Sequence, residues 1–217
     1  MPDFAKLRER MVERQIVARG IAERSILEAF RAVPRHAFVA PEHAEQAYGD
    51  HPLPIAAKQT ISQPYIVALM IEAAEVGAGD RVLEVGAGSG YAAAVIGRIA
   101  SWVTAIERHP ELARLAQERL AELGYGNVHV VQGDGTTGWR EAAPYDAILV
   151  AASGSHVPTA LSEQLVCGGR LVMPVGSPGG VQRLVRVTKQ ADGSLQQSDL
   201  GPVRFVPLIG EEGWSDD

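Results

Sequence analysis

Cysteine is almost absent from this chain: one residue, Cys167, in 217. That excludes an internal disulfide and suits a reducing compartment. Cys167 lies in Gln-Leu-Val-Cys-Gly-Gly, at the end of a predicted helix, where a buried structural thiol is expected rather than a nucleophile. Positive charge is also scarce, with 20 lysines and arginines against 26 acidic residues and a net charge of −6. No broad electropositive field remains for a nucleic-acid backbone. No apolar run approaches the roughly 18 residues of a membrane span. Met1 to Arg14 is densely charged where a secretory leader needs an apolar core. The six histidines (His36, His43, His51, His109, His129 and His156) have no paired metal-ligand spacing, so no metal is expected. A cytoplasmic protein without nucleic-acid or membrane partners is the expectation, acting as a monomer.

What is present is enough apolar material for a sizeable core, 46% of residues. From Arg81 onward apolar strands alternate with helices. Strands are predicted at 81–86, 102–107, 127–131 and 145–151, and helices at 90–100, 110–123 and 158–166. That rhythm predicts an α/β fold with a doubly wound, mostly parallel sheet. Strands near 169–176, 181–189 and 195–206 follow, with Asp192-Gly193 as a hairpin turn, so the C-terminal strands should be antiparallel. Upstream, helices are predicted at 4–19, 22–33, 41–48 and from Pro64 to about Ala74. Residues 1–217 are expected to form one domain, with 1–79 a helical extension and 80–217 the ligand-binding core.

The most informative stretch is Val82-Leu-Glu-Val-Gly-Ala-Gly-Ser-Gly-Tyr91. A strand runs into Gly86, Gly88 and Gly90, and a helix follows, which is the corner used for nucleotides. The spacing is Gly-x-Gly-x-Gly, and Tyr91 stands where a dinucleotide fingerprint needs its third small residue, so a nicotinamide or flavin dinucleotide is disfavoured. A P-loop ending in Gly-Lys-Ser/Thr is absent. Glu107 closes the second strand, where a carboxylate can accept from ribose hydroxyls. Asp134, between Gly133 and Gly135 after the third strand, can accept from an adenine amino group; a plain turn former is its other reading. Glu84 is a carboxylate inside an apolar strand, and a buried ionisable group needs a partner or a function. Together these point to S-adenosylmethionine.

A cofactor fold does not name the acceptor. The fourth strand lacks the Asn/Asp-Pro-Pro-aromatic signature of amino-directed nucleic-acid methyltransferases. The remaining polar cluster is Gln59-Thr60-Ile61-Ser62-Gln63-Pro64. With Tyr48-Gly-Asp-His-Pro-Leu-Pro-Ile55 before it, this run resembles the protein-L-isoaspartate O-methyltransferases, which repair damaged aspartyl and asparaginyl sites. The resemblance extends through Val33-Pro-Arg-His-Ala-Phe38, Gly133-Asp-Gly135, Pro144-Tyr-Asp-Ala-Ile-Leu-Val150, Gly168 to Gly176, Gln182 and Arg204-Phe-Val-Pro-Leu208.

The resemblance implies methyl transfer from S-adenosylmethionine to the free α-carboxylate of an L-isoaspartyl residue in a damaged protein or peptide. It implies cofactor contacts from Gln59, Thr60, Ser62, Gly86, Ala87, Gly88, Ser89, Gly90, Glu107, Arg108, Asp134 and Gly135. It implies acceptor contacts from Ile55, Thr60, Ile61, Ser62 and Gln182, with Ser62 catalytic. Read without the family, Ser62 is also a good helix N-cap. Two stretches depart from the family. Ala56-Ala57-Lys58 replaces glycines, so Ala56 or Lys58 would be strained if the loop needs positive φ. Ser153-Gly-Ser-His156 replaces an alanine-rich segment; His156 is read as a loop histidine. The alternatives are a related enzyme for ordinary aspartate in a particular peptide, a small-molecule methyltransferase using His156 as base, and a non-catalytic cofactor-binding module.

Overall fold

The computed structural model describes residues 2–216. The segment expected as one helix over 4–19 is helical throughout but changes pitch. α1 (Phe4–Met11) passes into a π turn at Val12–Ile16 and a 3₁₀ turn at Val17–Arg19, closed by Gly20 at φ 94°. Met11, Val12 and Ile16 are all buried, covering a wider arc than the stripe of a straight α-helix. α2 (Arg24–Ala32) buries Ile26, Ala29 and Phe30 and stops before Pro34. The stretch 41–48 forms only a 3₁₀ turn, Pro41–Gln46. Next, β1 (Leu53–Pro54) and β2 (Thr60–Ile61) pair as a small antiparallel hairpin that delivers the chain to α3 (Pro64–Ala73).

The alternating half contains β3 (Arg81–Val85), α4 (Tyr91–Gly97), β4 (Trp102–Glu107), α5 (Pro110–Glu122), β5 (Val128–Gln132) and β6 (Tyr145–Val150). It closes with α6 (Thr159–Glu163), β7 (Leu165–Val175), β8 (Gln182–Lys189) and β9 (Leu195–Val203). The sheet order is β5-β4-β3-β6-β7-β8-β9, parallel from β5 to β7 and antiparallel from β7 to β9. Both faces are covered, because neighbouring residues such as Val82 and Leu83 enter different hydrophobic clusters. The first cluster also takes in Met11, Phe30 and Ile71, so the N-terminal helices and the sheet share one apolar layer.

α6 is shorter than expected, and β7 begins earlier. Between Tyr145↔Leu165 and Ala147↔Arg170 the pairing slips, and the extra residues around Gly168 (φ 79°) bulge from the ladder. Cys167 sits in that bulge and is exposed, which corrects the expectation of a buried thiol at a helix end. β9 ends at Val203 rather than 206, and the chain leaves the sheet after that residue.

Candidate active site

β3 lies between β4 and β6: the chain runs from β3 through β4 to β5 at one edge and then crosses back to β6 on the other side of β3. The carboxyl ends of strands diverge at such a switch point and open a crevice. A cavity of about 640 Å³ occupies it, walled by the glycine loop, Glu107–His109, Gly135, Ala151–Ala152 and Ala57–Ser62.

The glycine loop is pinned by the neighbouring strand. The Gly86 and Ala87 amides both donate to the Ile106 carbonyl, at 2.8 and 2.9 Å. Gly88 has φ 53°, and its amide donates to Oε2 of Glu107 at 2.8 Å. Gly90 has φ 86°, and a Cβ there would come within 3.3 Å of the Ala116 Cβ on α5. Gly90 therefore performs the close helix packing, one position before the dinucleotide spacing would place it. Tyr91 does not crowd the loop. Its ring is buried beside Phe38 (5.5 Å) and Phe30 (6.2 Å), under the Arg35 guanidinium (5.1 Å).

Two buried carboxylates flank the loop. Glu107 is 4% exposed and also accepts the His109 amide through Oε1 at 2.9 Å, so backbone amides fix its orientation. Each oxygen retains acceptor capacity for a further donor. Glu84 is 2% exposed, lines the cavity, and has an Oε2 with no hydrogen-bond partner among the described residues. Burial pushes its carboxyl well above the usual range, the charge of Glu107 adds to the shift, and the Ala93 amide partly opposes it. When protonated, Glu84 presents a hydroxyl donor to the cavity beside the acceptors of Glu107.

A second cavity of about 770 Å³ adjoins the first, and Thr60, Ser62, Ala151, Val206 and Pro207 line both. Ser62 thus stands on the shared wall. The N-cap of α3 is Gln63, without a side-chain cap bond, so the capping role considered for Ser62 is not realised. The Gln63 amide instead donates to Oδ1 of Asp50 at 2.7 Å, and Asp50 is ion-paired to Arg19. Those contacts tie the residue after Ser62 to the helical extension. On the other side, the Ile55 amide donates to the Gln59 carbonyl at 2.9 Å, closing the hairpin turn. Ala57 (φ 54°) and Lys58 (φ 56°) are left-handed there, so the strain falls on Ala57 and Lys58, while Ala56 is spared.

Gln59, Thr60, Ile61, Ser62, Gly86, Ala87, Gly88, Ser89, Glu107, Arg108 and Gly135 line the first cavity. Ile55, Gly90, Asp134 and Gln182 line neither. Ile55 packs over the glycine loop, its Cδ1 lying 3.4 Å from where a Cβ on Gly88 would be. Asp134 is engaged by its own neighbourhood. Oδ1 accepts from the Thr136 amide (2.8 Å) and hydroxyl (2.7 Å), and Oδ2 accepts from the Glu211 amide (2.8 Å). Gln182 is 1% exposed; its Oε1 accepts from the Phe205 amide at 2.8 Å and its Nε2 donates to the Phe205 and Ser177 carbonyls. It holds the wall of the second cavity from behind. His156 is exposed, 2.9 Å from the Ser155 hydroxyl, and outside both cavities, which leaves the base assigned to it in the small-molecule alternative without a substrate site.

The sequence expectations missed the C-terminal strap. Leu208, Ile209, Trp214, Ser215 and Asp216 complete the first cavity. Trp214 is anchored from its amide to the Leu208 carbonyl (2.8 Å) and from Nε1 to the Ser153 carbonyl (2.9 Å), and Asp216 is ion-paired to Arg108. Its one sequence signal is an indole between Gly213 and a short polar tail. Among the described residues no group of His, Cys, Asp and Glu could hold a metal ion, and no helix is long and apolar enough to cross a membrane.

Fold and cavities together define an S-adenosylmethionine-dependent methyltransferase of the doubly wound α/β class. Comparison with known proteins narrows the class. The model of the protein-L-isoaspartate(D-aspartate) O-methyltransferase family matches residues 6–213, and the chain belongs to that family. It is 58% identical over 212 residues to protein-L-isoaspartate O-methyltransferase 1 of Rhodopseudomonas palustris strain HaA2, covering 98% of this chain and 86% of that one. A solved protein-L-isoaspartate O-methyltransferase structure superposes with a TM-score of 0.84 at 30% identity, covering 94% of this chain and 66% of that one. A Plasmodium falciparum structure assigned to the same activity, in complex with S-adenosyl-L-homocysteine, superposes with a TM-score of 0.80 at 24% identity, covering 96% and 99%.

Proposed function

We propose that this protein methylates the free α-carboxylate of L-isoaspartyl residues in damaged proteins and peptides, and that Ser62 orients that carboxylate. The observation that carries the reading is the position of Ser62 on the wall common to both cavities, with a hydroxyl that makes no hydrogen bond among the described residues. The residues of the first cavity fit S-adenosylmethionine. Glu107 offers carboxylate oxygens to ribose hydroxyls, positive-φ glycines leave room for the methionine portion, and Glu84, whose Oε2 has no partner among the described residues, offers a donor when protonated. When bound, S-adenosylmethionine supplies a sulfonium methyl group that an acceptor oxygen can take in line.

The residues of this chain then have modest tasks. The acceptor carboxylate, with an ordinary value of about 3–4, is ionised at neutral pH, so no general base is required. Ser62 donates a hydrogen bond that fixes which oxygen points across the shared wall. Thr60 and Ile61 hold the cover over the junction, and Val206 and Pro207 exclude water on the opposite side. Holding nucleophile and methyl in near-attack geometry can supply up to about 7–11 kcal/mol in ideal cases. A peptide nitrogen of the acceptor then displaces methanol from the methyl ester to close a succinimide, and water reopens that ring in part to normal aspartate. The single thiol supports a cytoplasmic location.

Replacing Ser62 with alanine tests the role. Turnover on an isoaspartyl peptide should fall about tenfold or more, the scale of one lost hydrogen bond to a charged group. The cofactor dissociation constant should stay within about twofold. A matching loss of cofactor affinity would make Ser62 a structural element of the first cavity instead.

A further inference from the structure

The second cavity has an uneven charge distribution. Its walls are largely apolar, with Pro52, Ile66, Val181, Phe205 and Pro207 prominent. Arg204 is the one charged residue among those lining it. Arg204 is exposed and makes no hydrogen bond or ion pair among the described residues. Its neighbours on β8 differ: Arg183 is paired with Asp199, and Arg186 with Glu75. Asp50, the partner of the cavity-lining Gln63, is also ion-paired to Arg19.

The backbone carrying Arg204 is also fixed. Val203 pairs with Gln182 at the end of β9, and the buried Gln182 side chain holds both the amide and the carbonyl of Phe205. A guanidinium on a rigid segment loses little freedom when it engages a planar carboxylate. The setting makes that engagement useful. A chain of net charge −6 repels acidic peptides at a distance, and an unpaired cation at the mouth of the cleft reverses the sign locally.

We propose that Arg204 binds a carboxylate of the acceptor peptide in this cleft and so governs which peptides reach Ser62. The inference rests on the isoaspartyl reading above. The carboxylate can belong to the isoaspartyl residue itself or to an acidic neighbour in the peptide. Arg204 acts before the chemistry, by capture and orientation, and is a specificity residue rather than a catalytic one.

The test uses the full-length protein and two isoaspartyl peptides, one with neutral flanking residues and one with a glutamate beside the damaged position. Steady-state rates are measured for wild type, Arg204→Gln and Arg204→Lys at low and high salt, with cofactor binding by calorimetry and thermal melting as controls. Arg204→Gln should lower kcat/KM about tenfold, mainly through KM, and flatten its salt dependence, while Arg204→Lys recovers most of the loss. A loss shared by both peptides assigns the contact to the isoaspartyl carboxylate; a loss confined to the glutamate peptide assigns it to the neighbour. Unchanged kcat/KM for both peptides in Arg204→Gln would overturn the proposal, as would an equal fall in cofactor affinity or melting temperature. Failure of the wild type to methylate either peptide would instead overturn the isoaspartyl reading.

Discussion

The amide of Gly88 and the Oε2 of Glu107 are joined by a hydrogen bond of 2.8 Å. It links the glycine loop to the end of the next strand, so the loop's path and the direction of the carboxylate are one feature. The second oxygen is tied to the His109 amide at 2.9 Å. The Glu107 carboxylate is therefore oriented by two backbone amides, one from each side.

Truncating that carboxylate removes two backbone anchors and, on the proposed reading, the acceptors for ribose. Glu107→Ala should weaken S-adenosylmethionine binding by about 10- to 100-fold, the scale of hydrogen bonds to a charged group. Isothermal titration checks this; an unchanged dissociation constant would remove Glu107 from the cofactor site.

Glu84 makes a prediction with a definite sign in pH. Its folded-state value is raised, by burial first and by Glu107 second. The folded protein therefore keeps a proton that the unfolded chain gives up above about pH 4.3. The stabilisation linked to that proton is fully present below the unfolded value and is lost as pH rises toward the folded one. Glu84→Gln preserves the shape and abolishes the titration. The melting temperature of the variant relative to wild type should rise steadily from pH 5 to pH 8, and parallel melting curves across that range would contradict the assignment.

The hairpin turn before Ser62 stores backbone strain in alanine rather than glycine. A left-handed residue other than glycine costs roughly 1–2 kcal/mol, and the added chain entropy of glycine offsets about half of that. Ala57→Gly should accordingly raise the melting temperature by about 2–4 °C, the shift expected per kcal/mol in a chain of this length. A lowered melting temperature would show that Ala57 is not held at positive φ in solution.

What could be read from sequence was local. Gly86 to Gly90 and Glu107 were legible because a strand, a tight turn and a strand end are specified by residues next to one another. The Gln59–Ser62 segment was legible through its resemblance to a family. The rest depended on the return of distant chain. Asp134 is taken up in part by Glu211, Gln182 grips Phe205, and Trp214 closes the cavity from the far terminus. None of those pairings has a periodicity. Cys167 was misplaced for a related reason: its exposure follows from a slip in register between β6 and β7. Tyr91 marked the glycine loop as unlike a dinucleotide site, yet only packing against Phe30 and Phe38 reveals where its ring goes.

The most direct test of the whole account is a pair of peptides identical except that one carries L-isoaspartate and the other normal aspartate. Each is incubated with the protein and methyl-labelled S-adenosylmethionine, and base-labile label is counted. The account predicts label on the isoaspartyl peptide alone. Label on both peptides, or on neither, would contradict it.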